Sequence, residues 1–171
     1  KVIQDGLNGK RILSLHADSL GVLVGTNAGY LELDNTLVPL PIAERIAGFQ
    51  PLTLPHAVVL SVLRAGPHDI WLGTPGGLVH IDRREGVPAL TNIKEVNGLG
   101  HDLVRCLHRD RSGGIWAGTG YGGLSKFTSD AFLYFTERDG LGSRIVSAMH
   151  RSSDGLFWIA TQGGGITRYD G

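Results

Sequence analysis

The chain has 171 residues, 42% of them apolar, with 16 basic and 16 acidic side chains. That is one ordinary domain with enough apolar mass for a core, which argues against disorder. Balanced charge without a basic block makes a nucleic-acid backbone a poor partner, and no apolar run approaches the ~20 residues that span a bilayer.

Glycine is the outlier, with 26 residues. These are not in a three-residue period, which excludes collagen. They cluster at four related phrases: GVLVGTNAGYL at 21–31, HDIWLGTPGGL at 68–78, GGIWAGTGYGGL at 113–124 and GLFWIATQGGGI at 155–166. The threonines ending each core, Thr26, Thr74, Thr119 and Thr161, are 48, 45 and 42 residues apart. Each copy has one grammar. A Gly-Leu step (Gly6-Leu7, Gly98-Leu99, Gly140-Leu141, with Leu54-Pro55 in the second copy) leads to an apolar strand: ILSL, VLSVL, LVRCL or IVSAM. A polar turn follows, then a strand around Trp-x-Gly-Thr, a glycine turn, and a third strand: YLELD, LVHID, LSKFT or ITRYD. A less regular fourth strand leads to the next Gly-Leu, as in FLYFTERDGL at 132–141. The strands are short, rich in β-branched and aromatic residues and bounded by turn formers. Only PIAERIAG at 41–48 suggests a helix.

Four strands recurring at this spacing predict an all-β fold, a β-propeller of four-stranded blades. A sandwich gives no reason for a Trp-x-Gly-Thr phrase at blade spacing. Trp71, Trp116 and Trp158 are expected to fill the gaps between blades, with Leu23 in the first copy. Gly25, Gly73 and Gly118 beside them would let backbones approach. Gly76-Gly77 and Gly122-Gly123 would supply positive φ in the hairpins. The repeats fall at about 4–35, 54–86, 97–130 and 139–171, in a single propeller segment over 1–171. KVIQDGL at 1–7 matches the tail of an outer strand, and the last copy stops after its third. This leaves a closed four-bladed ring or part of a larger one. Part of a larger, seven-bladed ring is the expectation, because Lys1 also reads as internal to a longer protein; seven blades need about 315 residues at this period.

The clearest copy, DGLGSRIVSAMHRSSDGLFWIATQGGGITRYDG at 139–171, and NGLGHDLVRCLHRDRSGGIWAGTGYGGLSKFTSD at 97–130 resemble the two-component regulator propeller repeat. The resemblance covers almost the whole chain except the Pro-containing connection around 35–55. It implies the extracytoplasmic, periplasmic sensor of a bacterial inner-membrane receptor, with a histidine kinase, diguanylate cyclase or DNA-binding output elsewhere. It implies a small-molecule ligand, carbohydrate fragments among them, and other blades or domains of the same receptor as partners; pairing of two copies as a homodimer is a separate expectation for an open ring. It implies no catalysis, no cofactor and no membrane contact in this segment.

Three histidines share a repeat position: His16, His108 and His150 each follow the first strand, and Arg64 is assigned that place in the second copy. Three readings are open. The residues form a ring of basic groups for an anionic ligand, a metal site, or a turn residue multiplied by duplication. The arginine and the lack of a fixed carboxylate count against metal. Asp110 and Asp154 sit in the polar turns, and Asp34, Asp82 and Asp170 end third strands, where turn hydrogen bonding explains them. Ser61, Ser125 and Ser147 lack a nucleophile elbow, and GTGYGG at 118–123 lacks the Lys-Ser/Thr of a phosphate loop. Cys106, the single cysteine, cannot form an internal disulfide and reads as a buried thiol. The alternatives to a sensor are an enzyme on this architecture, of lyase or glycosidase type, and a protein-binding scaffold. An enzyme would need acids or histidines converging in one cleft with perturbed pKa values.

Overall fold

The computed structural model describes residues 7, 9–40, 54–84, 88–128 and 131–170. The suspected helix at 41–48 lies outside the described residues, as does nearly all of the 1–7 segment. The first blade is β1 (Ile12–Asp18), β2 (Gly21–Thr26), β3 (Gly29–Leu33) and β4 (Pro39–Leu40). Blade 2 is β5 (Ser61–Gly66), β6 (Asp69–Thr74), β7 (Gly77–Asp82) and β8 (Ala89–Ile93). Blade 3 is β9 (Val104–Arg109), β10 (Ile115–Thr119), β11 (Leu124–Phe127) and β12 (Phe132–Phe135). Blade 4 is β13 (Val146–Arg151), β14 (Phe157–Thr161) and β15 (Gly165–Tyr169). Every sheet is an antiparallel meander in chain order. The first strands β1, β5, β9 and β13 pack side by side in that order.

The repeated phrase builds the same local structure each time. Its threonine hydroxyl closes the second hairpin: Thr26, Thr74, Thr119 and Thr161 donate to the carbonyls of Gly29, Gly77, Gly123 and Gly165 at 2.8–3.2 Å. Thr74 also accepts from the Gly76 amide at 3.1 Å, so a fully buried hydroxyl has its partners within the turn. Of the paired glycines, only the second carries positive φ: 129° at Gly77 and 75° at Gly123. The glycine before the threonine does a different job. A Cβ on Gly25, Gly73 or Gly118 would meet Val59, Val104 or Val146, the fully buried valine that leads the next blade.

Three apolar clusters follow, one per seam between blades. Leu23 and Tyr30 meet Val59, Val62, Ile70 and Leu72 between blades 1 and 2. Leu63, Ala65 and Trp71 meet Val104, Ile115 and Ala117 between blades 2 and 3. Trp116 and Leu124 meet Leu141, Val146, Phe157 and Ile159 between blades 3 and 4. Trp71 and Trp116 are each 4% exposed. Trp71 stacks on His80 and tilts against Phe127 of blade 3, while Trp116 faces Phe157 and Tyr169 of blade 4. Trp158 departs from the expectation: it is 38% exposed, with Ile166 at 71% beside it. It occupies the same register as the other two, but among the described residues no fifth blade covers that face. Blade 1 likewise exposes Ile12 and Leu15.

Candidate functional site

Pairing across the first hairpin places His16 opposite Leu23, His108 opposite Trp116 and His150 opposite Trp158. In blade 2 the residue opposite Trp71 is Leu63, and Arg64 comes one position later. Arg64 is therefore the counterpart of Arg109 and Arg151, not of the histidines. The sequence assignment fails here because the first hairpin of blade 2 is irregular between Arg64 and Gly66. Three of the four basic residues divide between two seams, and His150 is exposed on blade 4, near enough to His108 to act on it electrostatically. His16 and Arg64 sit together between blades 1 and 2, and His108 sits with Arg151 between blades 3 and 4.

The first seam is internally neutralised. The Arg64 Nε lies 2.9 Å from Asp18, an ion pair in which the N–H does not point along the line of contact. Its other end lies 3.3 Å from Glu32, a buried carboxylate on β3. Arg83 donates to the same Glu32 and, at 2.7 Å, to the Tyr30 hydroxyl. Burial, partly offset by Arg83, pushes the Tyr30 phenol up to about 12. Burial also lowers the pKa of His16; Asp18 opposes this and Arg64 adds to it. A cavity of about 270 Å3 borders Arg64, lined by Asp18, Leu20 and Pro67, but the arginine already meets Asp18 and Glu32 there.

The third seam is open. A cleft of about 280 Å3 lies between blades 3 and 4. Trp116, Phe157 and Tyr169 supply aromatic surface, and His108, Lys126 and Arg151 supply donors. Asp110 is committed to the wall. It accepts from the Gly114 amide at 2.8 Å, the Trp116 indole at 2.8 Å, the Ser112 hydroxyl at 2.7 Å and the Lys126 ammonium at 2.8 Å. Lys126 also lies over the Trp116 ring, 4.9 Å from its centre. Gly114 makes this possible, since a Cβ there would fall 2.7 Å from the Lys126 side chain. Burial pushes the Asp110 carboxyl upward, but the hydrogen bonds from Lys126, Ser112 and Trp116 outweigh it and hold the group well below the usual carboxylate range. Burial lowers the pKa of His108, and Arg151 lowers it further. The buried Nε of Arg151 and the buried Nε2 of His108 have no hydrogen-bond partner among the described residues. No carboxylate lies within ion-pair distance of Arg151 among those residues.

Of the other sequence candidates, Asp170 lines the same cleft, and the remaining aspartates serve turns. Asp154 accepts from Ser152 and the Leu156 amide in its hairpin, and Asp82 holds Arg84. Ser61 and Ser125 are buried, and Ser125 accepts from the Gly100 amide at 3.1 Å. No group of three metal-binding side chains occurs among the described residues. Sequence reasoning missed Glu32, Lys126 and Arg151. A signal for the first two was present: the third strands YLELD, LVHID, LSKFT and ITRYD carry Glu32, His80, Lys126 and Arg168 at one position, one acid among bases.

Residues 98–121 match the family model of the two component regulator propeller. No curated protein matches the chain. Among solved structures, the chain is similar to the extracellular domain of the hybrid two component system BT3049 from B. thetaiotaomicron. The identity is 25% and the TM-score 0.73, over 94% of this chain and 21% of that one. The extracellular domain of BT4673 from the same organism gives 16% identity and a TM-score of 0.54, over 94% and 28%. A catalytically inactive virginiamycin B lyase from Staphylococcus aureus with quinupristin gives 14% and 0.60, over 94% and 56%, which is a likeness of fold. The chain thus spans about a fifth of the length of the hybrid two component domain it resembles at 25% identity. The repeat grammar, the meander sheets and these likenesses agree: residues 98–121 match the two component regulator propeller repeat, and the chain is a partial propeller built of four-stranded blades.

Proposed function

We propose that the chain is a non-catalytic sensor segment of a bacterial signal-transduction receptor, on the extracytoplasmic side of the membrane, and that the blade 3–blade 4 cleft meets a small-molecule ligand. The carrying observation is the fold likeness, at 25% identity, to the extracellular domain of a hybrid two component system, together with the repeat match at 98–121. The cleft supports a binding role over catalysis. Asp110, its best-placed acid, is held ionised by four donors and has no proton to give near neutrality. A ligand at a seam can bias the relative setting of two blades by the difference in its affinity for the two arrangements.

The test uses the whole receptor in spheroplasts. Externally added protease should cleave this segment without lysis, and deleting blades 3 and 4 should abolish the phosphorylation or cyclase response of the output module. Cleavage only after lysis, or an unchanged response, refutes the reading.

A further inference from the structure

The two polar seams are versions of one arrangement, and only one is complete. Asp18 and Asp110 end or follow the first strand one residue after the paired positions Ala17 and Arg109. Arg64 and Arg151 occupy the same register in the following blade, opposite Ile70 and Phe157. Glu32 and Lys126 occupy the same register on the third strand, opposite Leu23 and Trp116. In the first seam the aspartate and Glu32 both contact the arginine. In the third seam the glutamate position is Lys126, which draws the aspartate to itself at 2.8 Å. The arginine has thus lost both carboxylates, and its Nε is buried without a partner. Arg83 donates to Tyr30 and Glu32 in the first seam and the cavity beside Arg64 has no aromatic lining, whereas the third-seam cleft sets Arg151 beside Trp116, Phe157 and Tyr169. Arg64 has a carboxylate on two sides although its Nε and one terminal nitrogen make no hydrogen bond, whereas the half-buried Arg151 guanidinium has no counter-charge at its buried Nε, which is costly. A planar carboxylate satisfies it through paired hydrogen bonds.

We propose that the cleft between blades 3 and 4 is a carboxylate-binding site, in which a small organic anion places its carboxylate on Arg151 where Glu32 stands for Arg64, and lays an apolar or ring face on Trp116, Phe157 and Tyr169. The inference rests on the reading of this cleft as the ligand site. A sugar acid and an aromatic acid share that chemistry.

The test is calorimetric titration of the intact protein with glucuronate, benzoate and, as a neutral control, glucose. At least one acid should bind and glucose should not. Glucuronate alone would make the ligand a sugar acid; benzoate alone would make it an aryl or aliphatic acid. Arg151→Gln should weaken binding at least tenfold. Lys126→Glu, which copies the first seam, should abolish binding while leaving the thermal midpoint unchanged or higher, so that lost binding is not lost folding. Silence from both acids, equal binding of glucose, or full affinity in folded Arg151→Gln overturns the proposal. Glucose binding that still drives the receptor output would leave the sensor reading intact. Acid binding with no change in output would refute the sensor reading and leave this site standing.

Discussion

Gly73 stands against Val104. A Cβ on Gly73 would lie 2.8 Å from Val104 Cγ1 and 2.9 Å from the Val104 carbonyl oxygen. The pair sets how closely β6 approaches the first strand of the next blade, and Val104 is fully buried there. Gly73→Ala should destabilise by ~1–3 kcal/mol, the usual cost of overpacking. Gly66→Ala is the control, since its Cβ would be 3.7 Å from the nearest atom. Urea midpoints of the two variants check this; equal midpoints would mean that the blades slide apart without cost.

Glu32 holds two arginines in a buried seam. Glu32→Ala should cost about 3–5 kcal/mol, because it strands buried charge rather than removing one contact. The double variant Glu32→Leu/Arg64→Leu should recover much of that loss. Denaturation of the single and double variants measures the difference, and an additive loss would refute the account.

His16 and His108 both have pKa values lowered from 6.5 by burial. For each, the unfolded chain takes up its proton at a higher pH than the folded one. Their contribution to stability is therefore full above about pH 7 and falls as pH drops through 6.5. Thermal midpoints between pH 8 and pH 5 should decline on the acid side, and His108→Gln should flatten part of that decline. Arg151 adds to the lowering of the His108 pKa by burial, so Arg151→Gln should bring it back toward 6.5 and make the decline shallower.

Burial raises the Cys106 thiol to about 12. A thiolate is the reactive form, so the native protein should react with iodoacetamide at pH 8 far more slowly than the urea-unfolded chain. Comparable rates would place Cys106 at the surface.

The blades were legible because each is a local unit. The hydrophobic strands, the polar first turn and the Thr–Gly second turn all lie within one repeat, and the backbone pairs them as the repeat spacing predicts. What joins blades was not legible. Arg83 meets Glu32 across 51 residues and Arg64 meets it across 32, separations that depend on how blades stack. The place of Arg64 was misassigned because first hairpins differ in length: His16 pairs seven residues ahead with Leu23, but His108 pairs eight ahead with Trp116. Counting along the sequence cannot choose between seven and eight. Trp158 carries the same residue in the same register as Trp116, yet its exposure is set by what covers blade 4.

The seams are unequal joints. The one between blades 2 and 3 packs Leu63, Trp71, Val104 and Ile115, while those on either side add polar groups to their apolar clusters, Glu32 with Arg64 at one and Asp110 with Lys126 beside the other. Blade 1 is tied to blade 2 by Asp18 and Glu32 reaching across to Arg64, whereas the Asp110–Lys126 pair stays within blade 3 and leaves blade 4 docked on an apolar face.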